Sequence, residues 1–215
     1  MQIGILGSGN VGGALGRRWA AAGHPVLFAS REPDSPRMAA LVAAAGPLAR
    51  AATAAETVAS SDIVLLATPW PATRDAVANL PWEGKILIDA TNPLLPALAG
   101  LEFANSTSGA EQVAAWAPGA RVVKAFNTIG YNIMENPTFH GAPVTLLYCG
   151  DDPAAKAAVR SLAADAGFAP EDAGRLLRAR LLEPFALLWI SLAMLEGYGR
   201  DIAFSLLRRN DTMVL

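Results

Sequence analysis

The sequence predicts an α/β fold with a doubly wound, mostly parallel sheet and a small α/β C-terminal portion. Short apolar runs alternate along the chain with segments of helical composition, as in folds that pack helices on both faces of a parallel sheet. The runs are nearly continuous in their apolar character, which is typical of strands buried on both faces. A glycine-rich turn also joins the first apolar run to the first helical segment.

The predicted elements are spread over the 215 residues of the chain. Strands are predicted at residues 2–6, 25–29, 62–67, 85–89, 121–126 and 144–149. Helices are predicted at residues 10–22, 72–80, 153–166 and 176–195. Pro184 is expected either to kink the last of these helices or to divide it into two shorter ones. The alternation implies right-handed crossovers between the parallel strands.

Composition and charge exclude several classes of protein. Hydrophobic residues make up 53% of the chain and charged residues 17%, which predicts a folded globular core. The formal net charge is −2, and lysine and arginine do not cluster among aromatic residues, so we expect no nucleic-acid partner. Cys149 is the single cysteine. It cannot form an internal disulfide and has no neighbours at zinc-ligand spacing, so we expect no metal site.

The chain is expected to be cytoplasmic. The first predicted strand begins at residue 2, which leaves no room for a signal peptide. The apolar stretch at 181–195 contains Glu183 and Pro184, and it is shorter than the roughly 20 residues that a membrane span needs. We therefore expect no association with a membrane, and the single cysteine fits a reducing compartment.

The glycine-rich turn predicts a dinucleotide site. It reads Gly7-Ser8-Gly9-Asn10-Val11-Gly12 and matches G-x-G-x-x-G. In this motif the first glycine permits a tight turn, the second lets the backbone approach a pyrophosphate, and the third lets helix and strand pack closely. The helix N-terminus adds unpaired N–H groups and a partial positive charge. Because strand, turn, helix and second strand follow within about 30 residues, the sequence predicts a Rossmann unit.

The end of the second predicted strand indicates NADP rather than NAD. About 20 residues past the loop, NAD enzymes usually place an acidic residue that binds the ribose 2′-hydroxyl. This chain has Ser30-Arg31 there. A serine can donate a hydrogen bond to a 2′-phosphate, and an arginine can pair with it through two donors. Arg37 either adds a second positive charge or is a solvated helix residue.

Three loops after later strands are expected to frame the nicotinamide, because ligands of such sheets bind at the carboxyl ends of the strands. Asparagine and threonine side chains in these loops can hydrogen-bond a carboxamide or a ribose. Trp70 either stacks on a ring or packs against the protein itself. The predicted contacts are Thr68, Pro69 and Trp70 in the first loop, Asn92 and Pro93 in the second, and Asn127, Thr128 and Ile129 in the third.

The sequence offers no clear proton donor, which bears on the choice of acceptor. The two histidines are His24, just before the second strand, and His140, in a loop flanked by glycine and proline. The Tyr-x-x-x-Lys pair of short-chain dehydrogenases is missing. Reduction of a carbonyl usually needs such a donor, whereas a flavin or deazaflavin carries its own electron sink. We therefore predict hydride transfer by positioning, with no catalytic side chain.

Several stretches along the chain form a family pattern: I-G-I-L-G-S-G-N-V-G-G-A-L, A-S-R, A-T-P-W, I-D-A-T-N-P, V-V-K-A-F-N-T-I-G and Y-C-G-D-D, together with G-F-A-P-E-D-A-G, R-L-L-E-P and G-Y-G nearer the C-terminus. This pattern resembles the F420-dependent NADP oxidoreductases and the cytoplasmic domain of the STEAP metalloreductases. The order of the blocks matches the family along nearly the whole chain. Archaeal members that use deazaflavin have a histidine where this chain has Asn127, so the A-F-N-T version is more similar to the STEAP-like branch.

The resemblance implies hydride transfer between NADPH and F420, FAD or FMN stacked on the nicotinamide. It leaves open whether the acceptor is F420, a free flavin or a metal ion reduced through flavin. It implies that the C-terminal helix closes over this small-molecule acceptor, and that the chain forms a homodimer through the same region. The residues to which it assigns roles are Ser8, Asn10 and Val11 at the pyrophosphate, Ser30 and Arg31 at the 2′-phosphate, and Thr68, Pro69, Asn92, Asn127 and Thr128 around the nicotinamide.

Two domains and two alternative functions complete the prediction. Residues 1–129 are expected to form the NADP-binding Rossmann domain, and residues 130–215 the acceptor site and dimerisation portion. One alternative is an NADPH-binding sensor that regulates a partner without turnover. The other is a small NADP-dependent dehydrogenase of a carbonyl or imine substrate. Related enzymes of that second kind need a large helical domain, and only about 85 residues follow Ile129, which is short for a typical domain.

Overall fold

The computed structural model describes residues 1–103 and 105–209 of the chain. Within these residues the strands form one eight-stranded sheet and one two-stranded hairpin. The strands are β1 Ile3–Leu6, β2 Val26–Ala29, β3 Ala49–Ala52, β4 Ile63–Leu66, β5 Ile86–Asp89, β6 Arg121–Lys124, β7 Thr138–Phe139, β8 Ala142–Pro143, β9 Thr145–Gly150 and β10 Ala169–Asp172.

The helices connect the strands and cover both faces of the sheet. Short 3₁₀ turns at Pro96–Leu98 and Leu176–Arg178 supplement them. The α-helices are α1 Asn10–Ala21, α2 Pro36–Ala45, α3 Ala54–Ser60, α4 Trp70–Val77, α5 Gly109–Trp116, α6 Tyr131–Glu135, α7 Pro153–Asp165 and α8 Ala179–Met194.

The strand order of the large sheet is β10-β9-β6-β5-β4-β1-β2-β3. The six strands from β6 to β3 are parallel and have the order found in dinucleotide-binding folds, with the reversal between β1 and β4. β9 joins β6 in the antiparallel direction, and β10 lies parallel to β9. The predicted α/β fold with a mostly parallel sheet is therefore confirmed.

Two apolar cores lie on opposite faces of the sheet, because successive side chains of a strand point to opposite sides. On one face Ile3, Ile5, Ile63 and Leu65 pack with side chains of α1, α6 and α7. On the other face Leu6, Val64, Leu66 and Leu87 pack with side chains of α3, α4, α5 and α8. This double burial explains why the strands have nearly continuous apolar sequences.

Four strands were not located from the sequence: the hairpin strands β7 and β8, and β3 and β10, which are the two edges of the large sheet. β3 has the sequence A-R-A-A and β10 has A-P-E-D. Edge strands are exposed on one side and tolerate proline and charge, so they lack the apolar signature of the central strands.

The C-terminal helix differs slightly from its prediction. Residues 176–178 form a 3₁₀ turn, and α8 begins at Ala179 and continues through Pro184 as one helix. The division into residues 1–129 and 130–215 stays a prediction, and residues 210–215 lie outside the described part of the chain.

Candidate functional site

The glycine-rich loop connects β1 to α1 at the carboxyl edge of the sheet. Gly9 occupies the N-cap position of α1, and no side chain there caps the helix. The first N–H groups of α1 therefore lack the oxygen that a serine, threonine or aspartate cap would supply. α1 is twelve residues long, so its macrodipole adds positive potential at this end.

Each glycine of the motif has its own geometric requirement. Gly7 has φ +105°, a left-handed conformation that favours glycine, and a Cβ there would lie 2.5 Å from the carbonyl oxygen of Ala67. A Cβ at Gly12 would overlap the carbonyl oxygen of Gly7, which reflects the close packing of α1 on the loop. A Cβ at Gly9, in contrast, would meet no atom within 4 Å. Gly9 thus faces open space, where a ligand can approach the backbone.

A cleft of about 260 Å³ opens directly over this loop. The guanidinium of Arg37 donates a hydrogen bond from Nη2 to the carbonyl oxygen of Ser8 at 3.2 Å. Arg37 therefore lies at the cleft and adds positive charge beside the loop. The sequence alone had not distinguished this position from that of a solvated helix residue. The lining residues are Ser8, Gly9, Asn10, Gly13, Arg17, Arg37, Leu41, Tyr131 and Glu135.

Ser30 and Arg31 follow the carboxyl end of β2, next to β1 in the sheet. The Oγ of Ser30 accepts a hydrogen bond from the backbone N–H of Glu32 at 3.0 Å, so its own hydrogen can be donated to a phosphate. Arg31 is exposed. A serine and an arginine at this strand end are suited to a phosphate monoester and poorly suited to the 2′-hydroxyl that a carboxylate would bind.

The loop after β4 begins at Thr68 and Pro69 and leads into α4 at Trp70. Thr68 Oγ1 lies 3.0 Å from Thr73 Oγ1, so these two hydroxyls share a hydrogen bond. Trp70 Nε1 donates to Glu102 Oε2 at 2.5 Å. The Trp70 ring also contacts the rings of Phe103 and Trp116, at centroid distances of 5.9 and 5.4 Å. Trp70 therefore packs against the protein itself, and its stacking on a nicotinamide ring stays a prediction.

Asn92 and Asn127, from the loops after β5 and β6, are hydrogen-bonded to each other. Asn92 Nδ2 donates to the carbonyl oxygen of Asn127 at 2.8 Å, and Asn127 Nδ2 donates to Asn92 Oδ1 at 3.1 Å. Asn127 Nδ2 also donates to the carbonyl oxygen of Leu182 at 3.2 Å. The Oδ1 of Asn127 is buried and has no donor among the described residues. A buried acceptor without a donor is costly, so this oxygen is a candidate contact for a bound ligand.

The backbone between β6 and Asn127 is held in an unusual conformation. Phe126 has φ 67°, which is rare for a bulky residue. Its buried ring is fixed by edge contacts with Trp19 and Phe168, at centroid distances of 5.8 and 5.9 Å. Such strain persists where the surrounding packing holds it, often at functional sites.

A buried ion cluster, which the sequence analysis missed, lies directly beneath these loops. Lys124 Nζ is 2.9 Å from Asp89 Oδ2 and 2.8 Å from Glu183 Oε1, and all three side chains are at most 2% exposed. Glu183 also accepts hydrogen bonds from the backbone N–H groups of Gly109 and Ala110, at the start of α5. A lysine inside the apolar strand V-V-K was the available signal, since an unpaired lysine is almost never fully buried.

An apolar cavity of about 140 Å³ adjoins the loop after β6. Its walls include Thr128, Ile129, Phe185 and Trp189. Residues 202–206 cover it and belong to an extended C-terminal segment, residues 200–208, that we call the C-terminal strap. Pro93, Thr128 and Ile129 are all buried. They therefore contribute to the shape of this edge of the sheet rather than exposing hydrogen-bond donors.

The C-terminal strap is held by contacts with α8 and β9. Trp189 Nε1 donates to the carbonyl oxygen of Ile202 at 2.7 Å, and the backbone N–H of Leu206 donates to Thr145 Oγ1 at 3.0 Å. The rings of Phe185 and Phe204 lie 4.7 Å apart. The strap thus closes one side of the cavity with its backbone and an aromatic ring.

Other titratable groups lie away from this edge or are engaged. His24 Nε2 lies 3.0 Å from Asp165 Oδ2, and His140 lies in the turn between β7 and β8. Burial raises the pKa of the Cys149 thiol to about 12, so it stays protonated and is not a nucleophile. Within residues 1–103 and 105–209 no group of three His, Cys, Asp or Glu residues is arranged to hold a metal ion. No helix in this same part of the chain combines the length and apolarity of a membrane span.

Comparisons with known sequences give a family and a curated relative. Residues 2–93 match the family described as "NADP oxidoreductase coenzyme F420-dependent". The rat protein Metalloreductase STEAP3 is 32% identical over 191 residues, which cover 86% of this chain. The chain spans only 36% of the length of that relative.

Solved structures with the same fold include close and remote ones. A putative F420-dependent NADP-reductase from Arthrobacter sp. FB24 is 28% identical with a TM-score of 0.82, over 96% of this chain and 99% of that one. A hypothetical protein from Sinorhizobium meliloti is 28% identical with a TM-score of 0.76, over 97% and 96% of the two chains. A reductive aminase from Aspergillus terreus, 21% identical with a TM-score of 0.65 over 88% and 59%, shares the fold.

Proposed function

We propose that this chain, which belongs to the family of F420-dependent NADP oxidoreductases, transfers a hydride between NADPH and a deazaflavin or flavin acceptor. The family is one of NADP-dependent oxidoreductases, and the identity of the acceptor is the new part of the proposal. The observation that carries it is the apolar, aromatic-walled cavity beside the loop that begins at Asn127, at the edge of the sheet where the glycine-rich loop also opens.

The glycine-rich loop and the end of β2 form the proposed binding site for the phosphates of NADPH. The uncapped N–H groups at the start of α1 would bind the pyrophosphate, with Ser8, Asn10 and Val11 around it. Ser30 and Arg31 would bind the 2′-phosphate, and Arg37 supplies further positive charge at the cleft. Arginine suits this role because its fork of donors matches phosphate oxygens.

The two hydrogen-bonded asparagines are the proposed contacts of the nicotinamide. The buried Oδ1 of Asn127 can accept an N–H of the carboxamide, which would satisfy an atom that otherwise has no donor. Thr68, Pro69, Asn92 and Thr128 complete the frame around the ring. When bound, NADPH supplies the hydride, and the chain's own residues orient the ring and exclude water from it.

A planar acceptor with its own electron sink fits the rest of this edge. The cavity walls are mostly apolar and aromatic, and the strap covers one side. Lys124 and Asp89 are paired with each other, and both histidines lie elsewhere. A flavin or deazaflavin takes the hydride at its central ring and one proton from water, so it needs less from the protein than a carbonyl does. F420, FMN and FAD share this chemistry.

Anaerobic stopped-flow mixing tests the proposal directly. We expect the absorbance of the nicotinamide band to fall when the protein and NADPH meet F420, FMN or FAD, and to persist without them. A cyclic imine and a simple ketone are the matched controls. Oxidation of NADPH only by the imine or the ketone would mean that the acceptor is an imine or carbonyl compound rather than a flavin or deazaflavin. Tight binding without oxidation by any acceptor would favour the sensor and overturn the proposal.

We also propose that the chain forms a homodimer through α8. Leu181 and Leu188 of α8 and its C-cap residue Leu195 are 62%, 50% and 59% exposed, and a spacing of seven residues puts the two helical leucines on one face. A self-complementary leucine stripe suits a two-fold interface between copies. We expect the double variant Leu181→Glu/Leu188→Glu to sediment as a monomer, whereas the wild type sediments as a dimer. A wild-type monomer at all concentrations would contradict the proposal.

A further inference from the structure

We propose that the buried cluster of Asp89, Lys124 and Glu183 is a positioning device for Asn92 and Asn127. This inference rests on the proposed function, because it assumes that the two asparagines contact the nicotinamide. The three ionised side chains fix the loops that carry the asparagines and thereby align the ring for hydride transfer. None of the three touches the reacting atoms in this proposal, so they are positioning residues.

The contacts on the Asn92 side run through Thr91. Lys124 Nζ donates to the carbonyl oxygen of Thr91 at 2.7 Å. Asp89 Oδ1 accepts from the backbone N–H of Thr91 at 2.9 Å and from its hydroxyl at 2.7 Å. The cluster therefore hydrogen-bonds the N–H, the hydroxyl and the carbonyl group of Thr91. Because Asn92 is the next residue, these bonds restrict the position of its backbone.

The contacts on the Asn127 side run through α8. Asn127 Nδ2 donates to the carbonyl oxygen of Leu182, and the following residue, Glu183, is bound to Lys124 at 2.8 Å. Lys124 itself lies three residues before Asn127, and the intervening Phe126 is held in its strained conformation by packing. One lysine thus joins the loop after β5, the loop after β6 and the first turns of α8.

Stability alone is a weak explanation for this cluster. Replacing a buried ion pair by well-packed hydrophobic residues of similar volume is often neutral or stabilising, because buried charges lose their hydration. An apolar residue would fill the same volume without that cost. What charges add is a set of short, directional contacts. Here they end at Thr91, which precedes Asn92, and at Glu183, which follows the Leu182 carbonyl that accepts from Asn127.

Lys124 does not act as a proton donor in this arrangement. Burial alone would lower its pKa, but the carboxylates of Asp89 and Glu183 outweigh burial and hold the pKa of Lys124 above its usual range. The ammonium therefore keeps its proton near neutral pH. Its side chain is also fully buried, so it is separated from solvent as well as from the site.

A neutral triple variant, Asp89→Asn/Lys124→Met/Glu183→Gln, separates positioning from stability. We expect it to stay folded at the assay temperature, with a lower melting temperature because the Thr91 carbonyl and a backbone N–H at the start of α5 lose partners. It should keep its NADPH dissociation constant, because the phosphate contacts lie elsewhere. The single-turnover rate of hydride transfer should fall about 10- to 100-fold, since small misplacements of reacting groups are costly. The control is Lys156→Met/Asp172→Asn, which removes a surface ion pair and should change neither constant.

Side-chain amide NMR of Asn92 and Asn127 gives a readout that does not depend on turnover. With NADP⁺ bound, we expect sharp, exchange-protected signals in the wild type and broadened, rapidly exchanging signals in the triple variant. A folded triple variant with an unchanged rate and unchanged amide signals would overturn the inference. If the triple variant fails to fold, Glu183→Gln alone is judged by the same measurements. If the wild type does not oxidise NADPH with any of the acceptors, the proposed function fails, and the amide signals still decide whether the cluster orders the asparagines.

Discussion

Replacing Gly9 with alanine is expected to remove NADPH binding without unfolding the protein. A methyl group at Gly9 meets no protein atom within 4 Å, and its φ of −84° suits alanine. The methyl would, however, occupy the space through which a pyrophosphate reaches the N–H groups of α1. Losing two or more charge-assisted hydrogen bonds should weaken binding about 100-fold or more, measured by calorimetry, while the melting temperature stays near the wild-type value.

Gly12→Ala is the comparison for Gly9→Ala and, unlike that variant, should destabilise the fold. Its methyl would overlap the backbone of Gly7 and lie 2.8 Å from Ile5 Cγ2. Overpacking of this kind costs about 1–3 kcal/mol, and a clash with backbone is harder to relieve. We expect a clear fall in the melting temperature. NADPH binding by Gly9→Ala at wild-type strength would contradict the role given to the loop.

Replacing Arg31 with alanine is expected to weaken NADPH binding about 10- to 100-fold and to leave NADH binding nearly unchanged. The estimate follows from the roughly 1.5–3 kcal/mol that a hydrogen bond to a charged group contributes. NADH lacks the 2′-phosphate, so it has nothing to lose at this position. The ratio of the two dissociation constants, measured by calorimetry at fixed ionic strength, reports the effect.

Arg160→Ala is the control for net charge. Arg160 is exposed on α7, which packs on β9 and β10 at the other end of the sheet from β2. Removing it changes the charge of the protein equally but should leave the ratio of the constants as it is. An equal loss of NADPH and NADH affinity in Arg31→Ala would mean that Arg31 does not bind the 2′-phosphate.

The central part of the fold could be predicted because its physical causes are local. Strands buried on both faces must be apolar throughout, and a glycine-rich turn between strand and helix is set by steric requirements at Gly7 and Gly12. Both signals are readable within a few residues. The edge strands β3 and β10 lack such a signal, because exposure on one side removes the need for apolar residues.

The candidate site was predictable in position but not in its contacts. The rule that ligands bind at the carboxyl ends of parallel strands placed Asn92 and Asn127 at one edge. The ion pair between Lys124 and Glu183 joins residues that are far apart in sequence. The spacing of residues along the chain does not predict such a contact. Trp70 illustrates the same limit, because its partners Glu102 and Trp116 are not neighbours in sequence.

Calorimetric titration of the wild-type protein with NADPH and with NADH shows whether a phosphorylated dinucleotide binds across the α1 N-terminus and the end of β2. We expect saturable binding of NADPH with one site per chain and much weaker binding of NADH. No heat of binding with either dinucleotide, or equal affinity for both, would contradict this expectation.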